Sequence, residues 1–158
     1  MKFSTNGLRI TPEVASKLAG SDYIDVQISL DGATGEVNDA VRGHGSFAMA
    51  IRAMQSLADA GFADFKISVV MTRHNLAQLD AFKAIADSFG AQLRITRLRP
   101  SGRGADVWDE LHPTPGQQRE LYDWLVARGE NVLSAPPPVP AAVSVVNRIG
   151  CWTMGRSW

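Results

Sequence analysis

The alternation of short β-type segments with longer helical segments is the feature that most restricts how this chain can fold. Segments with the period-two alternation or the β-branched content of strands cover residues 3–5, 24–30, 65–71 and 93–98. Strand–helix units that recur at about 30 residues favour parallel strands joined by helical crossovers. The sequence therefore predicts an α/β fold of about four parallel strand–helix units, either half of an eight-unit barrel or a small open sheet.

Four helices are predicted from N-capping residues and from apolar side chains spaced three and four residues apart. Their predicted N-caps are Thr11, Ser46, Asn75 and Thr114, and their predicted ends are Gly20, Gly61, Gly90 and about Arg128. Asn75 with Gln78, and Thr114 with Gln117, have the spacing of a capping box.

The last part of the chain differs in composition from the rest. Residues 131–158 contain no acidic side chain, and residues 134–140 read SAPPPVP. Such a proline-rich run fits neither a helix interior nor a central strand. We therefore expect a barrel-type domain over residues 1–133 and an irregular tail over residues 134–158.

Charge and cysteine content exclude several classes of protein. The chain has 16 basic and 16 acidic side chains and one cysteine. Zero formal net charge argues against nucleic acid or an anionic membrane as a partner. A single cysteine forms neither an internal disulfide nor a thiolate-rich metal site. No apolar run approaches the roughly 20 residues that span a bilayer, so a cytoplasmic location is expected.

Candidate ligand-binding side chains lie in the polar segments that follow the predicted strands. These segments are TNG at 5–7, SLDG at 29–32, TRHN at 72–75 and RLRPSGRG at 97–104. Ligands of parallel α/β proteins bind at the carboxyl ends of the strands, and these side chains suit a zwitterionic or nucleoside-like ligand. Simpler interpretations stay open, because Asp31-Gly32 is also a turn signal and the loop histidines His44 and His74 also fit a solvated surface.

Arginines cluster near the fourth predicted strand. Arg97 and Arg99 are two residues apart and so share one strand face, with Arg94 before them and Arg103 after them. This cluster would hold an anionic substrate or form surface ion pairs with nearby acidic residues, and the sequence leaves both interpretations open.

Three motifs resemble consecutive motifs of radical S-adenosylmethionine enzymes. They are STNG at 4–7, ISLDG at 28–32 and DAVRGHGSF at 39–47. The chain is similar to the subgroup that carries a C-terminal cysteine-rich (SPASM-type) domain and modifies peptides. ITRLRPSGRG at 95–104, with WDEL at 108–111, is most similar to the mycofactocin maturases. The resemblance covers residues 3–133.

The resemblance implies a partial (β/α)6 TIM-like barrel that binds S-adenosylmethionine and a 4Fe-4S cluster. The cluster would cleave the cofactor to a 5′-deoxyadenosyl radical. The substrate would be the C-terminal Val-Tyr of a small precursor peptide, brought by a peptide-binding chaperone, decarboxylated and then cross-linked. The cofactor-binding residues that the resemblance implies are Ser29 for the amino-acid or ribose part, Arg42 for the carboxylate, Asn6 for the pocket floor and Leu98 for the adenosyl group. Asp31 would close the loop rather than touch the ligand.

The chain also departs from that family. The family holds its cluster with a CxxxCxxC loop, which nothing here matches, and Cys151 matches no ligand of the cysteine-rich domain. We therefore expect an internal part of such an enzyme, with no catalytic or metal-ligating residue and no activity alone. Two alternatives remain: a non-catalytic cofactor- or peptide-binding module completed by a partner chain, and a small α/β enzyme that binds an anionic substrate through Arg97, Arg99 and Arg103.

Overall fold

A computed structural model describes residues 1–62 and 65–128. The proline-rich tail expected over residues 134–158, with Cys151, lies outside the described residues. The strands are β1 (Lys2–Thr5), β2 (Asp25–Leu30), β3 (Lys66–Met71) and β4 (Gln92–Arg97). The helices are α1 (Pro12–Ala19), α2 (Gly35–Arg42), α3 (Ser46–Asp59), α4 (Leu79–Ser88), α5 (Arg103–Asp106), α6 (Trp108–Leu111) and α7 (Pro115–Ala127), with a 3₁₀ turn at Leu76–Gln78.

The four strands form one parallel sheet in the order β1-β2-β3-β4. Thr5 lies opposite Ile28, Leu30 lies opposite Val69, and Met71 lies opposite Arg97. The α/β class and the parallel strands are confirmed. Within the described residues the sheet is open, with β1 and β4 as its edge strands. Because all strands run the same way, the segments that follow them meet at one edge, the carboxyl edge of the sheet.

The two faces of the sheet differ in polarity. Alternate side chains of a strand point to opposite faces. One face carries apolar residues that are at most 1% exposed: Val26, Ile28, Leu30, Ile67, Val69 and Met71. Helices α3 and α4 contribute Met54, Leu57 and Phe82 to this core. Burying each of the large aliphatic side chains is worth about 1.5–3 kcal/mol, so the core stabilises the sheet mainly from this face.

Most predicted helix ends are confirmed, and two helix starts are corrected. Thr11 caps α1 through its hydroxyl, which accepts a hydrogen bond from the Val14 amide at 3.3 Å. Thr114 and Gln117 form the expected capping box at the start of α7, with reciprocal bonds of 3.0 and 3.3 Å. Ser46 is the first residue of α3 and not its N-cap, which is Gly45. The capping box predicted for Asn75 and Gln78 is wrong, because the Asn75 side chain makes no cap bond.

Helix α2 was not predicted from the sequence. Thr34 is its N-cap and accepts a hydrogen bond from the Val37 amide at 3.4 Å. Of its residues, Asn38 is fully buried whereas Glu36 and Ala40 are exposed. A helix that buries an amide instead of an apolar stripe gives little periodic signal.

The chain divides into two compact units, Met1–Gln117 and Gln118–Trp158. In the second unit the structure describes residues 118–128, where Leu121 and Leu125 are buried and the Arg128 guanidinium lies 4.3 Å from the centre of the Trp124 ring. All residues of the candidate site belong to the first unit.

Candidate functional site

A buried asparagine holds the loop that follows β2. Asn38 Oδ1 accepts hydrogen bonds from the backbone amides of Asp31 and Gly32 at 2.9 and 3.2 Å. Asn38 Nδ2 donates to the Ser46 hydroxyl at 2.8 Å. The side chain is fully buried, so its polar atoms need partners within the protein, and these bonds supply them. Asn38 therefore ties the Asp31 loop to the start of α3.

A second buried asparagine holds the same loop from the side of β3. Asn75 Nδ2 donates to the carbonyl oxygens of Asp31 and Val70, both at 2.9 Å, and its Oδ1 accepts from the Thr72 amide at 2.8 Å. These bonds use both N–H donors and direct the oxygen to the Thr72 amide, which explains why Asn75 does not cap a helix. Gln78 does not take part in a capping box either, because its Oε1 accepts a hydrogen bond from the Ala33 amide at 2.9 Å.

Gly32 has no room for a side chain. A Cβ atom there would lie 2.3 Å from the backbone nitrogen of Asn38 and 2.7 Å from the carbonyl carbon of Val37. The close approach of the loop to α2 therefore requires glycine at this position.

The ion pair between Asp31 and Arg42 is the main charged interaction of this loop. Asp31 Oδ2 lies 2.7 Å from Arg42 Nε, and the two side chains are 16% and 27% exposed. Asp31 Oδ1 is buried and has no hydrogen-bond partner among the described residues. A guanidinium has five N–H donors, so Arg42 keeps donors for a second carboxylate while Asp31 orients it.

Asp39 connects α2 to the first turn of α3. Its carboxylate accepts from the Gly45 amide at 2.6 Å, from the Phe47 amide at 2.8 Å and from the Ser46 hydroxyl at 2.9 Å. The backbone N–H of Phe47, followed by that of Gly45, holds the pKa of Asp39 below its usual value. Asp39 thus satisfies helix-start donors that no intrahelical bond reaches.

The predicted cofactor residues lie along the carboxyl edge of the sheet. Ser29 Oγ is 3.0 Å from Ser4 Oγ on the neighbouring strand. Asn6 follows β1 and its Oδ1 accepts from the Leu8 amide at 3.1 Å, so it shapes its own turn. Leu98 follows β4 directly and is half-buried. Of the five predicted residues, the structure joins Asp31 and Arg42 by direct contact.

The arginine cluster predicted near the fourth strand is divided by the fold. Arg97 ends β4 and is exposed, whereas Arg99 lies beyond the strand. The expectation that they share a strand face is therefore wrong. The side chain of Arg103 lies outside the described residues. Arg94 lies on the face opposite Arg97 and donates from Nη1 to Gln27 Oε1 at 2.7 Å.

A second polar group at this edge surrounds His112, which the sequence did not single out. The Arg73 guanidinium donates to the His112 carbonyl oxygen from Nε at 3.2 Å and from Nη2 at 3.1 Å. The His112 ring stacks on Trp108 with ring centres 3.9 Å apart. Burial, with Arg73 and Arg97 nearby, lowers the pKa of His112, so its neutral form is favoured. His44 and His74 are exposed.

The described residues lack a donor set for a metal ion. Among residues 1–62 and 65–128 no group of three His, Cys, Asp or Glu side chains is arranged to hold a metal ion. The single cysteine of the sequence does not supply the thiolates that an iron–sulfur cluster needs. The residues of this chain therefore do not fit a 4Fe-4S cluster. In the same described part, no helix has both the length and the apolar content for a membrane crossing.

The family model of the radical SAM superfamily matches residues 1–85, and the chain belongs to this superfamily. Its enzymes use S-adenosylmethionine together with a 4Fe-4S cluster.

The chain is similar to particular members of the superfamily. It is 75% identical over 134 residues to the mycofactocin maturase MftC of Mycobacterium ulcerans, covering 85% of this chain and 36% of that protein. The chain thus spans about a third of the length of the curated relatives it matches.

Solved structures with a similar fold include SuiB of Streptococcus suis. SuiB bound to S-adenosylmethionine superposes with a TM-score of 0.58 at 16% identity, over 83% of this chain and 31% of SuiB. SuiB bound to its precursor peptide SuiA gives a TM-score of 0.59 at 15% identity, over 83% of this chain and 30% of SuiB. The likeness shows the fold, a partial TIM barrel, of which this chain has four parallel strands.

Proposed function

We propose that this chain carries part of the S-adenosylmethionine site of a radical peptide maturase that acts on a mycofactocin-type precursor peptide. The observation that carries the proposal is the Asp31–Arg42 pair, held at the carboxyl edge of the sheet by two buried asparagines. The high identity to mycofactocin maturases supports the choice of substrate class. The cofactor-binding part lies within residues 1–133.

Each proposed cofactor residue has a chemical reason. Arg42 offers the planar donors that match the carboxylate of S-adenosylmethionine. The Ser29 hydroxyl suits its amino-acid or ribose oxygens, and the Leu98 side chain gives the adenosyl group an apolar surface. Asn6 shapes the floor of the pocket, and Asp31 acts on the ligand through Arg42. These groups bind and orient the cofactor.

The partners follow from the same relatives. A similar fold is known with a bound precursor peptide, which supports a peptide partner for the complete site. We further propose that a peptide-binding chaperone delivers this peptide in the cytoplasm. The chain alone does not provide the cluster thiolates, so we propose that it binds cofactor without cleaving it.

Titration of the whole 158-residue chain with S-adenosylmethionine tests the proposed site. We expect a saturable heat of binding by calorimetry, weakened about tenfold or more in Arg42→Gln, because a charge-assisted hydrogen bond is worth about 1.5–3 kcal/mol. Ser29→Ala should weaken binding by a smaller factor. Arg52→Gln, which removes an exposed arginine of α3, should bind as the unchanged chain does. Equal affinity of the Arg42 and Arg52 variants would contradict the proposal.

Cluster reconstitution tests the proposal that the chain does not cleave the cofactor. After anaerobic incubation with iron and sulfide, we expect no stoichiometric cluster and no 5′-deoxyadenosine from the chain, in agreement with a binding role. A cluster with cofactor cleavage would show that the chain holds ligands beyond those recognised. The anionic-substrate alternative has less support, because β4 ends at Arg97 and Arg99 is not part of the strand.

A further inference from the structure

The sheet face opposite the helices carries a row of polar side chains. Ser29, Ser68 and Arg94 occupy paired positions on β2, β3 and β4, and their side chains point to the same face. All three are half-buried. Gln27 precedes Ser29 by two residues and points to this face as well. A row of polar residues on neighbouring strands is unusual for a barrel interior, which branched apolar side chains normally fill.

The orientation of the Gln27 amide is set by Arg94. Arg94 Nη1 donates to Gln27 Oε1 at 2.7 Å, and only the oxygen of the amide is able to accept this bond. Nε2 of Gln27, on the same amide, takes no part in the bond to Arg94. Gln27 is 3% exposed, and its Nε2 has no hydrogen-bond partner among the described residues. Leaving a buried amide donor without a partner is unfavourable, and a ligand oxygen that accepts its hydrogen bond would remove this cost.

On the described strands, the cations of this face outnumber its carboxylates. Lys66 and Lys2 share the Asp25 carboxylate, at N–O distances of 3.0 and 4.0 Å. Arg94 has no ion-pair partner within residues 1–62 and 65–128. Among the described residues, the row thus offers a guanidinium that has no ion-pair partner and an amide NH2 group that has no hydrogen-bond partner. It also offers the Ser29 and Ser68 hydroxyls.

We propose that Arg94 and Gln27 bind a carboxylate group of the substrate, beside the Ser29 hydroxyl. The donor set is matched to a monoanion with two oxygens, because one cation and one neutral N–H donor are adjacent to each other. A phosphate dianion at Gln27 would place two negative charges beside the single guanidinium of Arg94 on a half-buried surface. The proposal rests on the proposed function for the statement that the carboxylate belongs to a substrate. The residue assignment itself rests on Arg94 and Gln27.

A pair of small probes tests the site on the whole chain by ¹H–¹⁵N NMR. N-acetylglycine carries a free carboxylate, and N-acetylglycinamide has nearly the same size without the charge. We expect the first probe to shift the Gln27 side-chain amide signal, which is identified by its loss in Gln27→Leu. The amide probe should leave that signal in place. Equal shifts from both probes, or no shift from either in a well-dispersed spectrum, would overturn the proposal.

Two arginine variants separate binding from folding. Arg94→Gln should weaken the N-acetylglycine response about tenfold or more, because it removes the charged partner of the carboxylate. Arg97→Gln, on the same strand but the opposite face and exposed, should leave the response unchanged. If both variants retain a dispersed spectrum and respond alike, the proposal fails.

Cofactor binding is measured separately in the same samples. Signals of the Asp31 loop report S-adenosylmethionine, whereas the Gln27 amide reports the carboxylate. Loss of the first response with the second retained would contradict the proposed cofactor site and leave the carboxylate site standing. Loss of the Gln27 response with the S-adenosylmethionine response retained would contradict the carboxylate site and leave the proposed cofactor site standing. Inorganic phosphate that shifts the Gln27 signal more strongly than N-acetylglycine would overturn the assignment to a carboxylate.

Discussion

At the scale of single residues, buried amides decide where the charged side chains of the site lie. Asn38 and Asn75 are at most 1% exposed and together bond both backbone amides and the carbonyl oxygen of the Asp31-Gly32 loop. With its backbone held on both sides, the loop presents the Asp31 carboxylate to Arg42. Positioning residues of this kind do not need to touch a ligand in order to affect its binding.

Replacing Gly32 by alanine should displace the Asp31 loop. The new Cβ would lie 2.3 Å from the Asn38 backbone nitrogen, so backbone must move, and overpacking of this kind costs about 1–3 kcal/mol. We expect Gly32→Ala to lower the urea midpoint and to weaken S-adenosylmethionine binding. Gly35→Ala is the matched control, because its Cβ would meet its nearest atom, in Phe47, at 3.8 Å. Alanine in a helix should leave stability equal or raise it by about 0.5–1 kcal/mol. A Gly32 variant as stable as the control would contradict the close approach.

Replacing Asn75 by aspartate should destabilise the chain although the shape is conserved. An ionised carboxylate would face the carbonyl oxygens of Asp31 and Val70 with no proton to donate. A buried charge of this kind costs at least about 3 kcal/mol at neutral pH. Urea unfolding at pH 7 and near pH 4 should show a smaller loss at the lower pH, where a protonated carboxyl can donate one bond. Asn6→Asp keeps the acceptor for the Leu8 amide and should change stability by less than about 0.5 kcal/mol.

At the scale of elements, α2 and α3 are joined by polar contacts at their ends. Asp39 near the end of α2 binds the amides of Gly45 and Phe47, which open α3. Ser46 donates to Asp39 and accepts from Asn38, so the α3 start is linked to the loop after β2. The N-terminal end of α3 and the charged loop therefore form one hydrogen-bonded unit.

The Asp39 contacts predict a pH dependence of stability. A carboxyl group whose folded-state pKa is lowered adds stability that is present above its unfolded-state pKa, about 3.9, and lost as the pH falls through the folded-state pKa. The unchanged chain should therefore lose stability below about pH 4 more steeply than Asp39→Asn. Urea midpoints from pH 7 to pH 3 measure this difference. Asp22→Asn removes an exposed aspartate and should keep the original slope. Parallel curves for the chain and Asp39→Asn would contradict the assignment.

Elements could be predicted from the sequence where their signals are local. All four strands and the helices that begin at Thr11 and Thr114 follow from alternation and capping residues within a few positions. Helix α2 was missed because it buries an asparagine in place of an apolar stripe. The Asn75 capping box was predicted wrongly because the same residue type satisfies distant backbone groups equally well.

At the scale of the whole molecule, the described sheet exposes two edge strands. Strands β1 and β4 each pair with one neighbour within the described residues, which leaves backbone donors and acceptors along their outer sides. In barrels of this type the helices form the outer layer, so the polar face of the sheet, which lies opposite α3 and α4, corresponds to the interior face. The proposed cofactor and carboxylate groups would therefore lie on neighbouring parts of one surface.

The open edges predict self-association of the chain. We expect a concentration-dependent rise in mass by analytical ultracentrifugation, because edge strands pair with one another when nothing covers them. Gln92→Lys places a charge on the exposed start of β4 and should reduce the association. Ala48→Lys adds the same charge on the exposed side of α3 and should leave the association unchanged. A monomer at every concentration, or equal effects of both lysines, would contradict edge pairing.

The sequence by itself determined the α/β class, the four strands, most helix ends and the motifs of the radical SAM superfamily, because period, capping and motif order are properties of neighbouring residues. The tertiary structure alone decided the contacts that build the site. Asn75 reaches the Asp31 carbonyl across 44 residues, and Arg94 reaches Gln27 across 67. Such contacts depend on strand register, which brings distant residues together, and register is an outcome of packing the whole sheet.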